Sequence, residues 1–213
     1  MKMAPDIKID YRDSARMLTK MPIIYCIDGN IGAGKSTLLK ELENRGYFVF
    51  QEELSDWGEL LDRFYSDEKR WMCSLQTAIL HSMHQQYLQI QTLSHDVVFV
   101  ERSPQSSMIF VKNGVRQGFM DAEETRIVEN LYELLKWSPY MSFYVNTPVD
   151  LCYERVKNRN RRCENQISVE YLTFLHDEYS RTYSRCDHLM LNGTLDTRTL
   201  ANIVIGEIRS KKV

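Results

Sequence analysis

The sequence has no apolar run long enough to span a bilayer, so no membrane-spanning helix is expected. It has no surplus of positive charge either. The 27 Lys and Arg against 29 Asp and Glu give a formal net charge of -2. That balance removes any general electrostatic case for nucleic acid or a membrane surface as partner. Residues 1–20 lack the apolar stretch of a secretory signal, and Asp6, Asp10 and Asp13 argue against an acid-poor transit peptide. Residues 1–21 are expected to form a polar extension and residues 22–213 a single domain, a length that allows one well-buried α/β core.

Cysteine is sparse and unpatterned. Cys26, Cys73, Cys152, Cys163 and Cys186 are odd in number, scattered, and form no C-x-x-C pair. This excludes a disulfide framework or zinc site and suits reduced thiols in a cytoplasmic setting. His81 and His84 share a helix face, but no third ligand of suitable spacing is near, so they read as polar helix residues. No internal repeat or low-complexity tract stands out.

What the chain does contain is a phosphate-binding loop. The stretch Gly29-Asn30-Ile31-Gly32-Ala33-Gly34-Lys35-Ser36-Thr37 follows the apolar run Ile23–Ile27 and precedes the helical Leu38–Leu42. Glycines let successive backbone N–H groups curl around a phosphate with no Cβ in the way. The helix start adds unpaired N–H groups and the positive end of its dipole. Lys35 is expected on the β- and γ-phosphates and the Ser36 hydroxyl on Mg²⁺. The loop thus implies a nucleoside triphosphate and a magnesium ion, and leaves the acceptor open.

Four more strands are expected at Tyr47–Phe50, Val97–Val100, Met141–Val145 and His188–Leu191. Helices are expected over about 57–65, from 66–68 to about 93, and over 105–112, 122–137, 169–184 and 197–209, with another starting at Val149. Asn113-Gly114 and Gly118 are read as separating the 105–112 and 122–137 helices. Alternating strands and helices imply a five-stranded parallel sheet with helices on both faces. Ligands then sit at the carboxyl ends of the strands. Glu52-Glu53, Glu101-Arg102-Ser103 and Asn146-Thr147 occupy such ends. A strand-end carboxylate at 52 or 53 can accept a proton from an attacking hydroxyl. Glu101 can hold Mg²⁺ through water, and Arg102 can pair with a substrate oxygen or with Glu52. The basic run Arg155–Arg162 places Arg155 and Arg159 on one helix face, and a planar guanidinium suits the charge of a transferring phosphoryl group.

Taken in order, these residues resemble the deoxynucleoside kinase family. The resemblance spans about Ile23 to Leu191 and rests on the loop, Glu52 to Trp57, Trp71 to Gln76, Glu101-Arg102-Ser103, and Arg155 through Arg159-Asn160-Arg161 and Glu164 to Tyr171. It implies a P-loop kinase that moves the γ-phosphate of ATP to the 5′-hydroxyl of a deoxynucleoside, for nucleotide salvage. Glu52 would be the general base, with Lys35 and Arg102 assisting, and Glu101 would serve Mg²⁺. Trp57 would wall the pocket, Gln76 would bond the base edge in two places, and Tyr65 and Glu164 would hold the 3′-hydroxyl. Arg155, Arg159 and Arg161 would belong to a lid over the triphosphate. Ile79 and Met83 would line the base pocket, with Ser107 as a further selector. The apolar Met83 leaves room for a thymine methyl, so a pyrimidine is expected, thymidine first and deoxycytidine next. A homodimer through the helices around 76–93 and 122–137 is also implied, although their apolar residues fit a core equally.

The chain departs from the family pattern in three places. Glu53 stands where proline is usual, Cys163 replaces a lid acid, and the segment after Ser103 is about one residue shorter, with Met108 near a usual arginine. Two other readings share some of these features. A nucleoside monophosphate kinase of the thymidylate kinase type needs a basic contact for the acceptor phosphate, where Gln51-Glu52-Glu53 is acidic. A nucleotide-binding regulatory module needs a water-positioning residue in place of a base beside an acceptor pocket.

Overall fold

Each of the five apolar runs is a strand in the computed structural model, which describes residues 21–52, 57–161, 164, 167–184 and 188–211. They are β1 (Ile23–Asp28), β2 (Phe48–Phe50), β3 (Val97–Glu101), β4 (Met141–Asn146) and β5 (His188–Asn192). All neighbours pair in parallel, in the order β2-β3-β1-β4-β5. Parallel strands require crossovers, which helices supply. These are α1 (Lys35–Asn44), α2 (Gly58–Ser66), α3 (Glu68–Ile90), α4 (Pro104–Arg116), α5 (Ala122–Leu135), α6 (Val149–Arg159), α7 (Val169–Tyr183) and α8 (Thr197–Ser210).

Alternation along the strands divides the core between two faces. On β1 and β3, Tyr25, Ile27, Val97 and Phe99 join Leu38, Leu39 and Leu42 of α1 and Leu200, Val204 and Ile208 of α8. Their neighbours Ile24, Cys26, Val98 and Val100 face the other way, against Ile90 and Trp137. Tyr144 of β4 shares that second face with Tyr179 and Tyr183 of α7. Strands covered on both sides can be apolar throughout, as β3 is, with every residue buried. Each fully buried Leu, Ile or Phe contributes roughly 1.5–3 kcal/mol of transfer free energy. The chain passes from β3 on one side of β1 to β4 on the other, so the carboxyl end of β1 is a switch point where a crevice opens.

Several element ends differ from expectation, each for a local reason. The α3 helix stops at Ile90 rather than Leu93, because Thr92 turns back and its hydroxyl donates to Gln89 O at 2.8 Å. The α4 helix runs through Asn113-Gly114 to Arg116 instead of breaking there. Gly114 serves a helix contact: a Cβ on it would lie 2.7 Å from Met72 Cε of α3. The α5 helix ends at Leu135, two residues before Trp137. Lys136 is extended, and the Trp137 indole donates to Met83 O at 3.2 Å, which draws the chain onto α3. Residues 1–20 of the expected polar extension lie outside the described residues, which begin at Met21. Among the described residues, no helix is long and apolar enough to cross a membrane.

Candidate active site

The glycine loop leaves β1 at the switch point and enters α1. Gly32 has φ 77°, and a Cβ there would lie 2.4 Å from Cys152 O of α6, so the loop is pressed against that helix at a position only glycine fills. Gly34 caps α1 without a side-chain hydrogen bond, which leaves the first helical N–H groups to face an anion. Lys35 is buried, with Nζ donating to Asn30 O at 2.9 Å and lying 3.8 Å from Glu101 Oε1. Burial and the Arg102 charge lower its pKa to about 8, against the opposing pull of Glu101, Glu52 and Asp28. The Ser36 hydroxyl donates to Glu101 Oε1 at 3.1 Å. Asn30 turns away from the cradle: its amide donates to Leu172 O at 2.9 Å and its Oδ1 accepts from the Ile31 N–H at 2.8 Å.

Opposite the loop, β2 and β3 bring Glu52 and Arg102 together, with Nε donating to Glu52 Oε2 at 3.4 Å. Arg102 is buried, whereas the Glu52 side chain keeps 23% exposure toward the cavity. Burial raises the Glu52 pKa, and Glu101 adds to this while Arg102 and Lys35 oppose it. Burial disfavours the Arg102 charge, yet Tyr179, Glu52, Asp28 and Glu101 together outweigh it and raise its pKa. The result is a carboxylate tuned upward beside a guanidinium that stays charged, which suits proton acceptance from a hydroxyl.

Loop and pair open on one cavity of about 530 Å³. Its walls include Trp57 and Tyr65 from the α2 segment, and Gln76, Ile79 and Met83 of α3 at spacings that share one helix face. The Ser107 hydroxyl of α4 donates to Gln76 Oε1 at 2.7 Å, and both residues are 2% exposed. A buried amide held this way can offer N–H and C=O together to a heterocyclic edge. Ser107 therefore meets the pocket as the partner that orients Gln76, a more specific place than that of an independent selector.

The basic run provides the remaining wall. Arg155 donates from Nη1 to Ala33 O at 3.1 Å and from Nη2 to Gly193 O at 3.3 Å, which pins α6 to the glycine loop. Arg159 forms a bidentate pair with Glu164 at 2.5 and 2.6 Å, and Arg161 lies 3.6 Å from the same carboxylate. Arg155, Arg159, Arg161 and Glu164 all line the cavity with residues 31–37. Glu164, assigned by resemblance to a sugar hydroxyl, is thus held by a lid arginine in this structure. Glu53 and Cys163 lie outside the described residues.

A family model described as deoxynucleoside kinase matches residues 25–205. The chain belongs to the deoxynucleoside kinase family. It is 35% identical over 170 residues to protein 029R of Invertebrate iridescent virus 3, a protein with a kinase name, covering 79% of this chain and 86% of that one. It is 31% identical over 164 residues to human mitochondrial thymidine kinase 2, covering 72% of this chain and 61% of that one. A solved structure of deoxyadenosine kinase from M. mycoides, bound to dCMP and dCDP, superposes with a TM-score of 0.81 at 23% identity over 88% of this chain and 99% of that one. The sheet and its helices are therefore a P-loop fold, and the protein is an ATP-dependent deoxynucleoside kinase.

This deoxynucleoside kinase uses residues to which the sequence reading gave no role. Phe110 and Tyr171 line the cavity, Phe110 beneath the Arg102 guanidinium at 4.8 Å from its ring centre. Phe110 lies three residues past Ser107 on α4, a helical spacing that places both on one face. Leu61, Phe64 and Leu75 complete the apolar wall. Asp28 and Tyr179 lie behind the site and contact Arg102. A strand-end acid directly before the first loop glycine was the available signal for Asp28. Nothing local marked Tyr179, which reaches the site from 77 residues away in the chain. Among the described residues, no group of three His, Cys, Asp or Glu is placed to hold a metal ion.

Proposed function

We propose that this kinase phosphorylates pyrimidine deoxynucleosides for salvage, thymidine first and deoxycytidine second. The observation that carries the preference is the neutral base wall. Gln76 with its Ser107 partner is the polar feature among Trp57, Leu75, Ile79, Met83 and Phe110. The charged lining residues belong instead to the loop with Glu101 beside its Lys35, the Glu52–Arg102 pair and the arginine–Glu164 group. An amide can match the adjacent donor and acceptor of a pyrimidine edge, while the apolar Met83 accommodates a methyl group. The similarity to human mitochondrial thymidine kinase 2 supports the same acceptor class.

In the reaction, Glu52 accepts the proton of the 5′-hydroxyl as its oxygen bonds to the γ-phosphorus. The bond from that phosphorus to the β-bridging oxygen breaks, and ADP leaves. Arg102 keeps Glu52 ionised and directed at the hydroxyl. Lys35 and the loop N–H groups hold the phosphate oxygens, and Arg155, Arg159 and Arg161 meet the charge that spreads over the transferring group. Tyr65 and Glu164 hold the sugar, the latter once Arg159 turns to the phosphates. The adjacent hard oxygens of Ser36 and Glu101, 3.1 Å apart, fit Mg²⁺, with phosphate oxygens and water completing its shell. When bound, the ion neutralises the β,γ-phosphate charge.

A homodimer belongs to the same reading. Ile127 and Leu134, one face of α5, are 54% and 79% exposed, and Leu88 of the adjoining α3 is 46% exposed. Light scattering should give twice the 25.2 kDa chain mass. The functional test offers ATP and Mg²⁺ with separate deoxynucleosides and their monophosphates. Thymidine should have the highest kcat/KM, followed by deoxycytidine. Comparable values for deoxyguanosine and thymidine would overturn the preference, and phosphorylation of thymidylate in place of thymidine would overturn the acceptor reading.

A further inference from the structure

The mechanism leaves a buried carboxylate unused. Asp28 ends β1 directly before the loop and is 0% exposed. Its Oδ1 accepts from the Gly29 N–H at 2.8 Å. Its Oδ2 accepts from the Ser106 hydroxyl of α4 and the Tyr183 hydroxyl of α7, each at 2.5 Å. Arg102 Nη1 lies 3.7 Å from Oδ1. A buried ion pair of this kind does little for stability that well-packed apolar side chains would not do. What it does supply is direction for a guanidinium.

Arg102 shows that direction in its backbone. Its φ is 67°, a left-handed conformation that a non-glycine residue holds only where its surroundings over-determine it. The turn sends the side chain back beneath the loop. There Nη1 donates to Gly29 O at 3.2 Å and to the Tyr179 hydroxyl, while Nε points to Glu52 at 3.4 Å. One rigid planar fork therefore touches the phosphate loop at one end and the acceptor-side carboxylate at the other. Tyr183, which holds Asp28, is itself fixed by stacking on Tyr144 and Tyr179, with ring centres 5.0 and 6.1 Å apart.

We propose that Asp28 is a positioning residue for phosphoryl transfer: anchored by Ser106, Tyr183 and the Gly29 N–H, it sets the Arg102 guanidinium and, through it, the Glu52 carboxylate relative to the phosphate loop. The proposal rests on the reading of Glu52 as the base. In Asp28→Asn, the amide oxygen still accepts from Gly29 N–H, so the loop keeps its entry geometry. What disappears is the charge facing Arg102 and the acceptor for Ser106 and Tyr183.

The test is a kinetic cycle of wild type, Asp28→Asn, Arg102→Gln and the double variant, with ATP and the best deoxynucleoside. For Asp28→Asn, kcat should fall about 10²-fold, the cost of a misplaced catalytic group, while KM for ATP changes by less than about threefold. The double variant should be no slower than Arg102→Gln alone, because the two residues act as one unit. A kcat for Asp28→Asn within about threefold of wild type overturns the proposal, as do losses that multiply in the double variant. Should Asp28→Asn fail to fold, Tyr183→Phe keeps the ring stack and removes one anchor. A several-fold loss in its kcat supports the proposal, and an unchanged kcat overturns it. Glu52→Gln, assayed separately, decides the base assignment, and the coupling of Asp28 to Arg102 is read from the cycle whichever way that falls.

Discussion

Replacing Glu52 by Gln removes a charge and a proton acceptor while keeping the shape. The amide oxygen can still accept from Arg102 Nε, now 3.4 Å from the carboxylate, so the guanidinium keeps a partner. The buried Arg102 keeps the Asp28 carboxylate 3.7 Å away as a charged partner, so its charge is not stranded and folding should be little affected. What goes is general-base catalysis, which contributes about 10²–10⁴-fold. At about 1.4 kcal/mol per tenfold, that is roughly 3–5 kcal/mol of transition-state stabilisation. The loss should fall on kcat, because proton transfer belongs to the transition state and nucleoside binding does not need it. Steady-state measurement of ADP release at varied thymidine, with thermal melting to check the fold, separates the two. If Glu52→Gln retains kcat within about threefold of wild type while Glu53→Gln is inactive, the base has been misassigned.

Other perturbations test other parts of the site. Gln76→Leu should lower kcat/KM for thymidine by about 10²-fold or more, through loss of paired base contacts and a buried Ser107 left without its acceptor, with little change in ATP affinity. Lys35→Ala should reduce ATP-dependent turnover about 10²-fold or more, measured at saturating nucleoside. The pH profile should show two limbs. Glu52 acts ionised and its pKa is raised, so kcat/KM should fall as pH drops through a value above the ordinary carboxylate range. Lys35 acts charged and its pKa is lowered to about 8, so KM for ATP should rise as pH climbs past 8. An acid limb at the ordinary carboxylate value would refute the first part, and an ATP KM flat to pH 10 the second.

Much of this was legible in the chain because the relevant physics is local. An apolar strand, a glycine loop and a helix start are contiguous at Ile23–Leu42, so the donor site could be read directly. The spacing of Gln76, Ile79 and Met83 follows helical periodicity, and all three line one cavity. What escaped was set by tertiary contact. Gly114 looks like a breaker until Met72 of another helix is seen against it. The bond from Ser107 to Gln76 spans 31 residues, and that from Tyr183 to Asp28 spans 155. The pairing of Glu164 with Arg159 depends on where the chain turns after α6, which the basic run alone did not fix. Family resemblance supplied the roles, and the fold supplied the partners that hold those residues in place.

The parallel stack of Tyr144, Tyr179 and Tyr183 has a spectroscopic consequence. Burial raises the pKa of Tyr144 to about 12 and places those of Tyr179 and Tyr183 well above the ordinary phenol value. In an alkaline titration these three, like the buried Tyr171, should stay protonated well past the ordinary phenol value. Their late, cooperative conversion to phenolate would be an intrinsic optical signal for opening of the layer behind the phosphate loop. It would require no added label.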